Sequence, residues 1–188
     1  TDGEEIVNQA LSLDGNNDYL ALPSEQSGGA LTVEAWVKTS DANHNWQRIF
    51  DFGNGPSSDN ILFTFGSTTG KLLLENYQGS SSKKISTEEL FPENQWVHVA
   101  AVIDENGNAS IYQNGELKAS GNIGIISNVN RANRFIGKSN WDADAYFLGQ
   151  MDEVRIWNIA RTQAEIQAKL SQSLSLIHIS EPTRPRLI

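Results

Sequence analysis

The sequence predicts an antiparallel all-β domain on three observations: an apolar, β-branched run too short for a helix, two Asn-Gly turns close behind it, and a helical pattern confined to one segment. The run is Trp96, Val97, Val99, Ala100, Ala101, Val102 and Ile103, interrupted only by His98. Bounded by polar turns and without an exposed face, it reads as a strand buried on both sides in the middle of a sheet. Asp104 to Asn108 then supplies Asn106-Gly107, a pair that tolerates positive φ, and Ala109 to Gln113 alternates as the returning strand. Asn114-Gly115 turns the chain again into Glu116 to Ala119, so two tight turns about eight residues apart make a β-meander.

Ahead of the meander, Ala10 to Leu13 and Tyr19 to Leu22 flank Asp14-Gly15-Asn16-Asn17-Asp18, which predicts a hairpin-like opening around an Asx-rich turn. Ser27-Gly28-Gly29 reads as punctuation. Leu31, Val33, Ala35 and Val37 alternate with Thr32, Glu34 and Trp36 as a half-buried strand, and Asp41 to Trp46 is a polar loop carrying His44 and Trp46. Arg48 to Phe52 is the next strand, stopped by Gly53-Asn54-Gly55-Pro56-Ser57-Ser58 before Asp59-Asn60. Ile61 to Phe65 and Lys71 to Tyr77 are strands about a turn at Gly66 to Gly70, and Ser80 to Lys84 reads as a solvated loop. After the meander come a short strand at Arg134 to Gly137, a long acidic loop at Lys138 to Tyr146, and a closing strand at Gly149 to Trp157. Thr162-Gln163-Ala164-Glu165 fits a capping box, with Ile166 and Leu170 as a narrow apolar stripe, which predicts one short helix packed on the sheets.

With 188 residues, 38% hydrophobic content and five tryptophans, the chain can build one domain with a substantial core. A net charge of -9 argues against nucleic acid or an anionic membrane as partner and favours cations. The absence of cysteine removes disulfides and thiolate metal sites without deciding the compartment, and no apolar run is long enough for a membrane span. The chain begins at Thr1 without a targeting segment, so it is expected to be a processed or excised piece. Residues 174–188 are set apart from a domain at 1–173: LSLIHISEPTR resembles the in-frame translation of a transposase-type sequencing adaptor, a linker to a following domain being the other reading. That tail carries two arginines and one glutamate, so the remainder is one unit more acidic.

Four segments carry a family resemblance: WVHVA with the acidic turn and IYQNGE after it, ALSLDGNNDYLALP at Ala10 to Pro23, LTVEAWVKTS at Leu31 to Ser40, and FLGQMDEVRIWNIARTQAEI at Phe147 to Ile166. In that order they resemble the laminin G-like and pentraxin-like branch of the concanavalin A-like jelly rolls. The resemblance implies a two-sheet antiparallel jelly-roll sandwich, secretion or surface display, and calcium. Asp59-Asn60 resembles the pentraxin Asp-Asn pair that contributes ligands ahead of a strand, and Asn140, Asp142 and Asp144 fall where a second acidic ligand loop lies. A later Gln ligand has Gln150 as its one counterpart, and a single ion is the simpler expectation. Hard cations take six to eight oxygens, which Asp and Asn side chains with loop carbonyls can deliver. A solvated loop is the plain alternative at both places.

Asp14, Asn16 and Asp18, with Glu25 at the twelfth place, imitate an EF-hand loop but fail it. Tyr19 holds the position that needs Gly, and Pro23 lies inside the loop. An Asx-turn network, or a structural ion shared with Asp152, is left there. Catalysis lacks its residues. The fold hosts glucanases whose carboxylates resemble an E-x-D-x-x-E run, and no such run exists here, while Asp152-Glu153 would sit on opposite faces of a strand. His44, His98 and His178 have no nucleophile motif beside them, and His98 reads as a satisfied strand histidine.

Sugar recognition uses exposed aromatic faces beside polar groups, and Trp46, Trp141, Tyr77 and Tyr146 sit in or next to polar loops. Trp141 lies inside the expected calcium loop, while Trp36, Trp96 and Trp157 read as core. The leading expectation is a non-catalytic, extracellular, calcium-dependent module binding a glycan or glycoprotein surface as part of a larger multidomain protein. A structural or adhesion spacer, and an accessory domain of a carbohydrate-active enzyme, are the alternatives.

Overall fold

The computed structural model describes residues 10–170, so the tail and His178 lie outside the described residues. In chain order the first strands are β1 (Leu11–Asp14), β2 (Leu20–Leu22), β3 (Glu25–Gly29), β4 (Leu31–Thr39) and β5 (Arg48–Gly53). They are followed by β6 (Ile61–Phe65), β7 (Leu72–Gln78), β8 (Ser81–Ser86), β9 (Val97–Ile103), β10 (Asn108–Gln113) and β11 (Glu116–Asn122). β12 (Ile126–Arg131), β13 (Asn133–Ile136), β14 (Leu148–Trp157) and the helix α1 (Gln163–Leu170) complete the described chain. Two six-stranded antiparallel sheets, ordered β1-β14-β4-β9-β10-β11 and β2-β13-β5-β6-β7-β8, face each other, and β3 pairs with β12 beside them. This is the expected jelly-roll sandwich.

The core is the interleaving of alternate residues from the two inner faces. Val33, Ala35 and Val37 of β4 and Val97, Val99, Ala101 and Ile103 of β9 meet Phe50, Phe52, Ile61, Phe63, Phe65, Leu72 and Leu74 from the opposite sheet. β9 is buried at every residue because its other face is covered too: Ala100 and Val102 pack with Tyr112 beneath Ile166 of α1. The helix starts where the capping box put it. Thr162 N–H donates to Glu165 Oε2 at 2.7 Å while Glu165 N–H donates back to Thr162 Oγ1 at 3.3 Å. Both turns of the meander form, with Asn114 and Gly115 at φ 49 and 75. Gly107, at φ +79, lies so close to the Gly124 backbone that a Cβ would sit 2.3 Å from its carbonyl carbon.

The structure corrects several expectations. The opening is a corner and not a hairpin: β1 pairs with β14 in one large sheet and β2 with β13 in the other. The turn between them is an Asx network, with Asp14 Oδ1 accepting from Asn16 N–H at 2.8 Å and Asp14 N–H donating to Asp18 Oδ2 at 3.2 Å. Ser80 to Lys84 is largely the edge strand β8, and Ser27-Gly28-Gly29 ends the strand β3. Both were missed because an edge strand draws on ladder hydrogen bonds and needs no apolar face. Asp152 and Glu153 fall in a β-bulge where Glu153 has φ 50, and the Glu153 carboxylate pairs with Arg155. Trp96 is 38% exposed, and Trp36 and Trp157 are half-buried, against His98 and Arg161 respectively, so none of the three is core.

Candidate functional site

β5, β6 and β7 place an alternating row of side chains on the outer face of their sheet: Asp51 lies opposite Leu62, Leu62 opposite Glu75, and Arg48 opposite Thr64. Two loops fold over this row, one at 41–47 and one at 138–147, tied together by Ala145 N–H donating to the Asn45 carbonyl at 2.8 Å. Beneath them lies Arg48, 4% exposed. Its Nη1 donates to the Trp46 carbonyl at 2.7 Å and to Thr64 Oγ1 at 2.9 Å, and its Nη2 to Asp144 Oδ2 at 2.8 Å. The guanidinium carbon sits 5.9 Å from the Trp46 ring centroid and 5.4 Å from that of Trp141, within cation–π reach of both. Tyr77 extends the cluster, its ring 5.7 Å from Trp141 and tilted by 49°. Three of the four aromatic residues singled out from the sequence therefore meet around one arginine. Trp46 has φ 52, a conformation a bulky side chain adopts only when its surroundings impose it.

Next to Arg48, Asp51 is fully buried and saturated with donors. Its Oδ1 accepts the side-chain amides of Asn60 and Asn140, both at 2.9 Å. Its Oδ2 accepts Asn140 N–H at 3.0 Å and lies 3.5 Å from Arg48 Nε. Gly53 is required here because a Cβ would fall 2.2 Å from the Asn60 amide nitrogen. Asp144 Oδ2 also takes the Ser139 hydroxyl at 2.7 Å. Burial pushes the Asp144 carboxyl above its ordinary value, with Ser139 and Arg48 opposing and Asp51 adding to the rise. Burial and the neighbouring Glu75 likewise raise the Tyr77 phenol.

The residues expected to hold calcium are placed as follows. Asn60, Asn140 and Asp144 converge, but on Asp51 and Arg48. Asp59, at φ 54, accepts Gly79 N–H on Oδ1 at 2.9 Å, and Asp142 is exposed. Gln150 lies on β14, opposite Ser12 and Lys38 in the other large sheet. Among the described residues no three His, Asp or Glu side chains gather as a metal-binding group. Tyr146 stands apart from the Arg48 cluster, in a second aromatic group with Tyr19 at 6.1 Å, where the Lys138 ammonium lies 4.6 Å from the Tyr19 ring centroid.

Sequence reasoning missed Arg48 and Asp51. The signal was present: a cation and a carboxylate three residues apart inside an apolar strand are rarely both buried unless they serve each other. His98 also differs from its satisfied reading. It is 1% exposed, its Nδ1 has no hydrogen-bond partner, and its Nε2 lies 3.5 Å from Glu34 Oε2. Burial, with Arg155 and Arg161 nearby, lowers its pKa to about 4.

A two-sheet antiparallel jelly roll of this kind is the fold of the concanavalin A-like lectin and glucanase superfamily. The chain matches the Laminin_G_3 family of that superfamily over residues 14–167 and belongs to it. Domain 4 of AbnA, a GH43 extracellular arabinanase from Geobacillus stearothermophilus solved in complex with arabinotriose, is 25% identical with a TM-score of 0.71, covering 88% of this chain and 78% of that one. The CBM40 of the Ruminococcus gnavus IT-sialidase, bound to alpha2,3 sialyllactose, is 18% identical with a TM-score of 0.71 over 86% of this chain and 96% of its own, a likeness of fold. An alpha-L-arabinofuranosidase of Bifidobacterium longum subsp. longum is 24% identical over 172 residues, 82% of this chain. The chain spans 16% of that relative's length. No helix among the described residues is long and apolar enough to cross a membrane.

Proposed function

We propose that this domain is a non-catalytic carbohydrate-binding module, displayed outside the cell as the accessory part of a larger carbohydrate-active enzyme. The observation that carries the reading is the convergence of Trp46, Tyr77 and Trp141 around Arg48. Flat, half-buried rings offer apolar area to the C–H faces of a sugar, and the polar atoms beside them give its hydroxyls partners. What supports the absence of catalysis is that Asp51 and Asp144 are both bonded to Arg48, whereas glycoside hydrolysis needs one carboxyl free as an acid and another as a base or nucleophile. A chain of net charge -9 favours neutral over anionic glycans. The arabinanase domain and the arabinofuranosidase make α-linked arabino-oligosaccharides the first ligands to try.

The test is calorimetric titration of the full chain with arabinotriose and with a panel of neutral and acidic oligosaccharides. Trp141→Ala should weaken binding at least about thirtyfold, the loss of about 2 kcal/mol typical of a central aromatic contact, with little change in melting temperature. A large fall in melting temperature would instead assign Trp141 to structural support. Silence across the panel from folded protein would leave a spacer or adhesion role.

A further inference from the structure

The resemblance to pentraxins calls for a divalent cation between the Asp59-Asn60 and Asn140–Asp144 segments, and the donor set there does not fit one. A hard cation is held by oxygens. Here the amide nitrogens of Asn60 and Asn140 point at Asp51, while the Asn60 Oδ1 accepts Ser58 N–H at 2.8 Å and the Asn140 Oδ1 accepts Gly55 N–H at 3.2 Å. Four donors occupy the two oxygens of Asp51, about the full lone-pair capacity of a carboxylate. Asp144 Oδ2 is shared between Arg48 and Ser139. The positive charge at the junction is a side chain.

We propose that the Arg48 guanidinium takes the place of a divalent cation in this domain, bridging Asp51 and Asp144 and fixing Trp46 and Trp141, so that the ligand site is preorganised without calcium. The planar fork suits the task. Its separate donors reach Asp51, Asp144, Thr64 and the Trp46 carbonyl at once, which a single ammonium could not do. The carbonyl bond holds the residue with φ 52 in place, and the ring contacts set the spacing of the two indoles. Arg48 is thus a positioning residue, and its role in recognition rests on the carbohydrate-binding reading above.

The experiment separates the two ideas by using readouts that need no sugar. Thermal melting and tryptophan emission of the full chain are recorded in millimolar calcium chloride and in excess chelator, beside arabinotriose titrations in both. The wild type should give the same melting temperature, emission and affinity in the two buffers. In Arg48→Ser, the buried Asp51 and the partly buried Asp144 lose their counter-charge. The melting temperature should fall, the indole emission should shift, and calcium should restore part of the fall. Arg48→Lys keeps a cation there and should fold without a calcium response, which keeps the test decisive if the serine variant does not fold. A wild type whose melting temperature rises with calcium, or an Arg48→Ser protein with wild-type stability and emission, overturns the proposal. Absence of sugar binding with calcium-insensitive melting would retire the carbohydrate reading alone.

Discussion

Histidine 98 makes acid stability a direct readout of the buried polar cluster beneath α1. The ring faces Glu34 from β4, Arg155 from β14 and Arg161 from the segment leading into α1, and stacks edge-on with Trp36 at 5.5 Å. A carboxylate at 3.5 Å would ordinarily favour imidazolium, but Glu34 is already paired with Arg161 at 2.6 Å. Burial and the two arginines therefore prevail, and the pKa falls to about 4 from 6.5. The sign follows from proton binding: the unfolded chain takes up this proton first as the pH drops, so the stability is fully present above pH 6.5 and is lost between there and about 4. Linkage gives a loss of about 2 kcal/mol between pH 7 and pH 5 and about 3 kcal/mol in all. Most carboxylates titrate below that window. Asp144, whose carboxyl burial raises, acts in the opposite direction, gaining stability as pH falls through its folded value. Urea unfolding of the wild type and His98→Gln at pH 7, 6 and 5 isolates the site, since the variant keeps Asp144. A wild-type curve that falls no faster than the variant's across this window would refute the reasoning.

Two further outcomes test the same face and the meander. Arg161→Leu leaves the fully buried Glu34 without its counter-ion and should cost about 3–5 kcal/mol, roughly 6–20 °C in melting temperature, with much of the loss recovered on adding Glu34→Gln. Gly107→Ala combines a left-handed φ of +79 with a Cβ 2.3 Å from the Gly124 carbonyl carbon and should cost at least about 2 kcal/mol in denaturant unfolding. Gly79→Ala, at φ +59 with open space around it, should cost about 1 kcal/mol, and equal losses would show that the close approach carries no energy.

The sandwich was legible because its inner faces obey short-range rules. β9 announced itself by its apolar, β-branched run, which the structure buries at all seven strand residues, the meander by its two Asn-Gly pairs, and the helix by Thr162 and Glu165. Pairing across long distances was not legible. Nothing within Leu11 to Leu22 says that its two halves join opposite sheets, because their partners lie beyond residue 130. The site divides in the same way. Loop aromatics are visible as residue types, so Trp46, Tyr77 and Trp141 could be named. What gathers them is Arg48, whose partners Thr64 and Asp144 stand 16 and 96 positions away. The resemblance supplied the positions Asn60, Asn140 and Asp144, but the amide orientation that turns Asn60 and Asn140 toward Asp51 is a property of packing, which a sequence does not display.

The position of β14 between β4 and β1 bears on how the chain is made. As synthesis proceeds from the N-terminus, β4 can pair on one side once β9 emerges, but its other edge and the whole of β1 wait for β14. Thr39 and its hydrogen-bond partner Leu148 are 109 positions apart, so at about 5–20 residues per second the edge stays open for about 5–20 s. During that interval an apolar strand presents unpaired amides to whatever is nearby, including the same strand on a neighbouring nascent chain. Truncation before Leu148 therefore removes the strand that joins β1 to β4, and such fragments should accumulate as aggregates instead of smaller folded domains.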